Sequence, residues 1–597
     1  MSQYSAPIDD MHFVINDLCD LDGIANLPGY EDATPDLVDA VLEEAGKLAA
    51  DVIAPINHSG DIEGCRIDNG IVRTPKGVKE AYAQFVDGGW NGVPFDPEYG
   101  GQGLPWLVAT ALSEMWNSAN MAFALCPLLT QGAVELLSAH GSDELKGRFL
   151  EKMVSGSWNG TMNLTEPQAG TDLARVRSKA ERHGDLYKIT GQKIFITYGE
   201  HDMTDNIVHM VLARVPDAPD GIKGISLFVV PKFLVNDDGS LGERNDLRCV
   251  SIEHKLGISA SPTAVMSFGD NGGALGYLVG EENNGIRYMF TMMNNARLAV
   301  GLQGVAIGER AFQQARDFAR ERVQSRDASG KDPAPVTIIH HPDVKRMLMS
   351  MKARTEAARA LSYYTAAKLD TAKRHPDEGQ RASAQALVDL LIPVVKAWST
   401  DNGIDIASTG IQIHGGMGYI EETGAAQHMR DARIATIYEG TNGIQAIDLI
   451  GRKVARENGE SVFVLMAEIK DVIHKLKAHG GDDLTIIAVR LEEALDGLKT
   501  ATDWIVKSYS HDIDGALAVA VPYLTLLGNT AGGWMMGAAA LAVTNSAQNN
   551  EPIGSFGAAK IATARFYADH VLTDVSGLCE KVISGGPSVT GINVDEI

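Results

Sequence analysis

The stretch Leu186-Tyr-Lys-Ile-Thr-Gly-Gln-Lys-Ile-Phe-Ile-Thr197 is rich in β-branched and aromatic residues and reads with a period of two, the pattern of a β-strand. Runs of the same kind follow at Ile207 to Val215, Ile225 to Val230 and Ala264 to Phe268, separated by clusters of Gly, Asp, Asn and Pro. They make residues 159–284 a central β domain. Before it the period is helical, at Thr34 to Val52 and Val108 to Asn117, interrupted by the glycine-rich loop Pro97-Glu-Tyr-Gly-Gly-Gln-Gly103. Residues 1–158 therefore read as a helical domain. From Gly285 long helical patterns return at Asn295 to Val323, Asp343 to His375 and Ala382 to Ala407, giving a bundle over residues 285–457. Beyond the charged, glycine-containing segment Gly451 to Glu460, helices at Phe463 to Lys477 and Leu484 to Ser508 open an appended helical domain, 458–597. The fold class is α+β: an N-terminal helical domain, a central β-barrel-like domain, a C-terminal four-helix bundle and the appended helices.

The composition agrees with this scale. A chain of 597 residues suits three or four domains. With 45% hydrophobic and 22% charged residues it can bury a large core, which excludes a disordered tail. A net charge of −25 argues against binding to nucleic acid or an anionic membrane, while a few arginines in one cleft could still hold an anionic small substrate. Cys19, Cys65, Cys126, Cys249 and Cys579 form no CxxC pair, so a reducing, cytoplasmic setting is expected. No Lys or Arg lies between Met1 and Gly46, which fits neither a secretory nor an organellar leader. Gly515 to Val543 carries no charge and is long enough to cross a bilayer. Its Ala and Gly content, with Pro522, Asn529 and Thr530, reads as buried bundle helices, so no membrane span is expected.

Several chemistries are unsupported. Gly46-Lys47 is followed by Leu and Gly330-Lys331 by Asp, so there is no phosphate-binding GxxxxGK[ST] loop. Gly416-Met-Gly418 lacks the third glycine and the strand-to-helix setting of a dinucleotide fold. His209, His340 and His341 have no carboxylate or Cys companions at ligand spacing, so no catalytic metal is expected.

Three distant segments remain: Thr161-Met-Asn-Leu-Thr-Glu-Pro-Gln-Ala-Gly-Thr-Asp172, Gln412-Ile-His-Gly-Gly-Met-Gly418 and Ile437-Tyr-Glu-Gly-Thr-Asn-Gly-Ile-Gln445. At these residues the chain resembles the acyl-CoA dehydrogenase family, marked by a TEPxAGTD-like segment, a GGxG turn and a YEGT segment in that order. The resemblance covers about residues 80 to 455, including the Pro97 to Leu104 loop and Met293-Asn-Asn-Ala-Arg-Leu298, read as a helix start. Thr165, Gly170 and Thr171 offer hydroxyls and open backbone N–H groups on a turn, equipment for the polar edge of a planar cofactor. Phe195 and Thr197, on one face of a strand by the two-residue period, could set a ring and a hydroxyl beside it. Glu439 lies between the apolar run Ile434-Ala-Thr-Ile-Tyr438 and Gly440, so a partly buried carboxylate with a raised pKa is expected.

The resemblance implies FAD as cofactor and Glu439 as the base that removes the α proton of an acyl-CoA thioester. It assigns FAD contacts to Met162, Leu164, Thr165, Gly170, Thr171, Phe195, Thr197 and Thr441. Arg322, Gln324, Gln412, Gly415 and Gly416 match residues that reach the flavin dinucleotide across subunits, which implies a homo-oligomer, dimer or tetramer. Thr171, Asn294, Arg297, Tyr438 and Gly440 match substrate contacts. The chain departs from the family pattern at Gly443 and at Pro342, after His341, where many relatives carry Gln, so those two flavin contacts are not carried over. Its length resembles a long subgroup that includes the 3-methylmercaptopropionyl-CoA dehydrogenases of dimethylsulfoniopropionate breakdown. The expected reaction is thus oxidation of a short acyl-CoA, 3-methylmercaptopropionyl-CoA to methylthioacryloyl-CoA, with an electron-transfer flavoprotein as acceptor. A medium- or long-chain acyl-CoA dehydrogenase and an acyl-CoA oxidase are the alternatives. A DNA-associated relative is opposed by the net charge of −25 and an idle scaffold by the presence of Glu439.

Overall fold

A computed structural model of the chain describes residues 3–327, 329–330, 334–548 and 553–597. The chain divides into two units: a first of Met1–Glu43, Pro105–Glu114 and Arg297–Ile597, and a second of Glu44–Leu104 and Met115–Ala296. The second holds an eight-stranded sheet of β1 (Trp158–Asn163), β2 (Lys179–His183), β3 (Leu186–Thr197), β4 (Asn206–Ala213), β5 (Ser226–Pro231), β6 (Leu247–Ile252), β7 (Thr263–Phe268) and β8 (Ala274–Leu278). Its order is β6-β7-β3-β8-β5-β4-β1, with β2 pairing β3. β1 and β4 run parallel; the other pairs are antiparallel. β4 and β5 are buried along their whole length, and Ile189, Val211, Phe228, Val230, Met266 and Phe268 fill one continuous core. β3 has the bounds read from the sequence. β1, β2, β6 and β8 lie outside the runs read there, being short and interrupted by charge, polar residues or glycine.

Helix α1 (Trp106–His140) starts in the first unit and continues in the second. Its first backbone N–H groups, of Trp106 and Leu107, donate to Asp370 at 2.8 and 2.9 Å, a cap supplied from far along the chain. At Asn120 the helix breaks, and the Asn120 side chain accepts from Phe123 N at 3.1 Å to restart it.

The first unit is helical: α2 (Gly285–Glu321, from Arg297 onward), α3 (Pro342–Arg374), α4 (Glu378–His414), α5 (Asn442–Asp448) and the appended α6 (Glu460–His479), α7 (Asp482–Ser508), α8 (Ala520–Gln548), α9 (Ser555–His570) and α10 (Val575–Ser584). α2 begins ten residues before the start read at Asn295. Asn294-Asn295 look like a cap, but Met289, Met292 and Ala296 fall on one buried stripe and carry the helix through them. Arg297 therefore lies within a helix, not at its start. α2 and α4 meet backbone to backbone: a Cβ on Gly304 would lie 2.2 Å from the Ser399 carbonyl oxygen. α1 and α8 are long and apolar enough to cross a membrane, yet the most apolar stretch of each is 83% buried within the protein. The appended helices join the bundle directly, with Trp398 Nε1 donating to Asn529 at 2.9 Å and Tyr364 OH to Glu468 at 2.6 Å.

Candidate functional site

In the second unit, Thr165, Glu166, Gly170 and Thr171 lie on the turn between β1 and β2. Glu166, 3% exposed, organises it. Its carboxylate accepts from Arg177 N at 2.7 Å, Ser178 N at 3.1 Å, Ser178 Oγ at 2.7 Å and Lys193 Nζ at 2.8 Å. Lys193 also donates to Leu164 O at 3.0 Å, and Ile194 N to Thr165 O at 2.9 Å, so the turn is laced to β3. Burial pushes the Lys193 ammonium down to about 8, with Glu166 opposing the shift.

Ile196 stands opposite Ala264 and Lys193 opposite Met266, so the strand carries one residue more than its partner there. The extra residue turns Phe195 into the left-handed region, φ +60°, with the ring 59% exposed. The two-residue alternation therefore does not run through this point: Lys193 is fully buried, Phe195 projects outward and Thr197 is half-buried. An outward-facing ring, an exposed Thr171, and a Gly170 whose missing Cβ would meet no atom within 4 Å suit the rim of a planar cofactor, so the residues present fit a flavin. Met162 is half-buried and Leu164 buried beside this turn; Asn294 is half-buried in α2.

In the first unit, Tyr438, Glu439, Gly440 and Thr441 form the turn into α5. Glu439 has φ +56° and Gly440 φ +80°. A left-handed Glu is uncommon, and its neighbours hold it. Gln445 Nε2 donates to Glu439 O at 3.0 Å, and Lys396 Nζ to Gly440 O at 2.8 Å. Thr441 Oγ1 caps α5, accepting from Ile444 N at 3.3 Å, and Tyr438 OH donates to Gln303 Oε1. Burial pushes the half-buried Glu439 carboxyl up to about 7 against the pull of Arg297 and Lys396. Arg297 is lowered by burial and supported by Asp448 and Glu439. The unit thus presents a carboxylate that titrates near neutrality between two cations, the condition of a general base.

Arg322 and Gln324 are exposed, the latter on a short hairpin strand. Gln412, Gly415 and Gly416 are exposed at the end of α4, and no atom lies within 4 Å of a Cβ built on either glycine. His341 Nε2 donates to Gln324 O at 2.8 Å, and Pro342 opens α3 at its first turn, where a missing N–H costs nothing. Sequence reasoning missed Lys396, Asn442, Gln445 and Gln303. Only Lys396 carried a signal, a cation in the largely apolar run Leu387 to Trp398.

Comparison with known proteins gives four consecutive domain matches: acyl-CoA dehydrogenase N-terminal domain over residues 38–157, middle domain over 161–271, C-terminal domain over 283–455, and acetyl-CoA dehydrogenase C-terminal-like over 465–593. The chain is 49% identical over 587 residues to a 3-methylmercaptopropionyl-CoA dehydrogenase of Ruegeria pomeroyi, covering 98% of this chain and 99% of that protein. It is 34% identical to a butyryl-CoA dehydrogenase of Syntrophomonas wolfei, covering 96% of each. The structure of an acyl-CoA dehydrogenase complexed with FAD from Bacillus anthracis superposes with a TM-score of 0.73 at 20% identity, over 96% of this chain and 91% of that one, which shows the shared fold.

Proposed function

This chain belongs to the acyl-CoA dehydrogenase family, and from that premise we propose that it oxidises a short-chain acyl-CoA to the 2-enoyl-CoA with FAD as cofactor and Glu439 as base. The observation that carries the reading is Glu439 itself: a half-buried carboxylate on a pinned left-handed turn, raised to about 7 and flanked by Arg297 and Lys396. An ordinary carboxylate is too weak a base for the α proton of a thioester, whereas one near neutrality is both ionised and receptive.

FAD, when bound, supplies the hydride acceptor for the β carbon. Met162, Leu164, Thr165, Gly170, Thr171, Phe195, Thr197 and Thr441 would hold it, with Glu166 and Lys193 keeping the 165–178 turn in shape. Thr171, Asn294, Arg297, Tyr438 and Gly440 would bind the acyl-CoA, and Glu439 would take the α proton. Arg322, Gln324, Gln412, Gly415 and Gly416 would contact the dinucleotide of a neighbouring subunit. Their exposure, together with that of Met417 (53%) and Tyr419 (86%), supports a homo-oligomer. Five unpaired cysteines suit a cytoplasmic protein.

The relative at 49% identity supports 3-methylmercaptopropionyl-CoA as the substrate. That thioether chain is about as long as a five-carbon acyl group, so butyryl- and valeryl-CoA should also react, sulfur and methylene being similar in shape. A panel of acyl-CoAs with a dye acceptor tests this. The expected kcat/KM peaks at about four to six chain atoms and is very low for palmitoyl-CoA, whose extra methylenes cannot enter a short pocket. A palmitoyl optimum overturns the short-chain assignment. The proposed acceptor is an electron-transfer flavoprotein, and hydrogen peroxide formed in proportion to turnover without an acceptor would make the enzyme an oxidase instead.

A further inference from the structure

Among the described residues four lysines are buried, and three of them touch carboxylates: Lys193 pairs with Glu166, Lys232 with Glu200, and Lys560 with Asp10 and Glu356. Lys396, 0% exposed, does not. Its Nζ donates to two neutral acceptors, Gly440 O and Asn442 Oδ1, both at 2.8 Å. A buried ammonium on neutral partners is expensive unless its charge is used nearby. The nearest use is Glu439, whose peptide is followed directly by the carbonyl that Lys396 holds.

The grip is built from the whole turn of α4. Asn442 Nδ2 donates to Asp401 Oδ1 at 2.7 Å, to Thr400 Oγ1 at 3.0 Å and to Ala397 O at 3.1 Å, which fixes the oxygen it offers to Lys396. Gln445 takes the Glu439 carbonyl and Lys396 the next one, so both peptides of a strained left-handed pair are tied. We propose that Lys396 is a positioning residue for proton abstraction: it pins the Gly440 carbonyl so that Glu439 projects from a fixed turn, and its ammonium favours the carboxylate over the neutral acid. This rests on the reading of Glu439 as the base.

The electrostatics agree in sign. Arg297 of α2 also faces Glu439, and is itself faced by Asp448 and Arg452. Asp401 and Arg297 face Lys396, and Tyr438, with Asp431 near it, faces Glu439 from its own loop. Burial brings Lys396 down to about 7, so at acidic pH it is protonated and favours the carboxylate. Without that charge Glu439 should hold its proton to a higher pH.

The test uses full-length, FAD-loaded enzyme with butyryl-CoA, measuring kcat and KM from about pH 5.5 to 9 for Lys396→Met, Lys396→Gln and Lys396→Arg. Loss of the charge in Met and Gln should move the acidic limb of kcat up by about one pH unit, so that kcat at about pH 6 falls about tenfold with KM within about threefold. Gln keeps a donor for Gly440 and should recover at about pH 9 more fully than Met; Arg should leave the limb near its wild-type position. An unmoved limb in flavin-loaded Lys396→Gln overturns the proposal, as does failure of all three variants to load FAD, which would make Lys396 a folding residue. Glu439→Gln is run beside them. If it turns over normally, the base assignment is what fails; if it is inactive while the limb stays put in the Lys396 variants, only the Lys396 proposal fails.

Discussion

At Glu439 a left-handed backbone angle and a burial environment together set the basicity of one carboxylate. Replacement by Gln keeps the shape of the side chain and removes its ability to accept a proton. Glu439→Gln is expected to keep its yellow flavin and lose about 10² to 10⁴ in kcat; near-normal turnover by the flavin-loaded variant sinks the assignment. A second readout needs no substrate. Because burial raises the folded pKa to about 7 from an ordinary value of about 4.5, the folded state retains a proton that the unfolded state has lost in that window. Stability contributed by this group therefore falls as pH rises from about 4.5 to 7, and the Gln variant escapes the loss. Its Tm relative to wild type should be higher at about pH 8 than at about pH 5, and an equal difference at both would mean an unshifted carboxyl. The raised carboxyl of Glu439 was legible from the apolar run before it and the glycine after it, whereas its reading as a base came from the YEGT segment's family resemblance, since Tyr-Glu-Gly alone reads as an ordinary exposed helix start. Lys396 stood out as a cation in an apolar run, but its role could not be read, since its partners Gly440 and Asn442 lie more than forty residues away in the chain.

At the scale of the element, β3 shows where periodicity stops informing. Its bounds, Leu186–Thr197, follow from residue type, but the additional residue opposite β7 is a matter of pairing register, and register depends on the partner strand. That additional residue is what turns Phe195 outward. The start of α2 fails for a related reason: local cap chemistry at Asn294-Asn295 is overridden by the buried stripe through Met289, Met292 and Ala296. The 165–178 turn depends on Glu166, and Glu166→Gln would leave the Lys193 ammonium buried without its counter-charge. This variant should bind FAD at least about tenfold more weakly and melt lower, in line with about 3 to 5 kcal/mol for breaking a buried pair. The deficit has a pH signature. Lys193, already lowered to about 8, sheds its proton more readily once Glu166 is gone, so the variant should regain Tm relative to wild type between about pH 6 and 9. A constant deficit would assign the loss to the turn's hydrogen bonds alone.

At the scale of the whole molecule, the appended helices belong to the same unit as the bundle, and their chemistry explains why. Arg359, 1% exposed, donates to Glu114 of α1 at 2.6 Å, to Glu309 of α2 at 2.8 Å and to Asp10. Lys560 of the appended α9 completes the cluster through Asp10 and Glu356, the latter at 2.9 Å. None of this could be read from the sequence, because the partners span positions 10 to 560 and share no motif. Apolar packing adds to it: Trp534 meets Tyr364 edge to face at 4.9 Å, and a Cβ on Gly528 would lie 2.4 Å from the Trp398 ring. Light scattering on the FAD-loaded chain is expected to give a dimer or larger, and a 63.9 kDa species would refute the intersubunit role of Arg322 and Gln324. The sharper expectation concerns truncation. Removal of residues 458–597 would strip Lys560 from Asp10 and Glu356, leaving excess buried negative charge, and would uncover the apolar face formed by Tyr364 and Trp398. The shortened chain should therefore aggregate, although it would retain every residue assigned to FAD and acyl-CoA. Lys560→Met gives the graded version: about 3 to 5 kcal/mol of destabilisation, with hydrogen-exchange protection lost together in residues 342–374 and 555–570. A soluble, flavin-loaded and active 1–457 fragment, or protection lost in 555–570 alone, would make the appended domain an independent passenger.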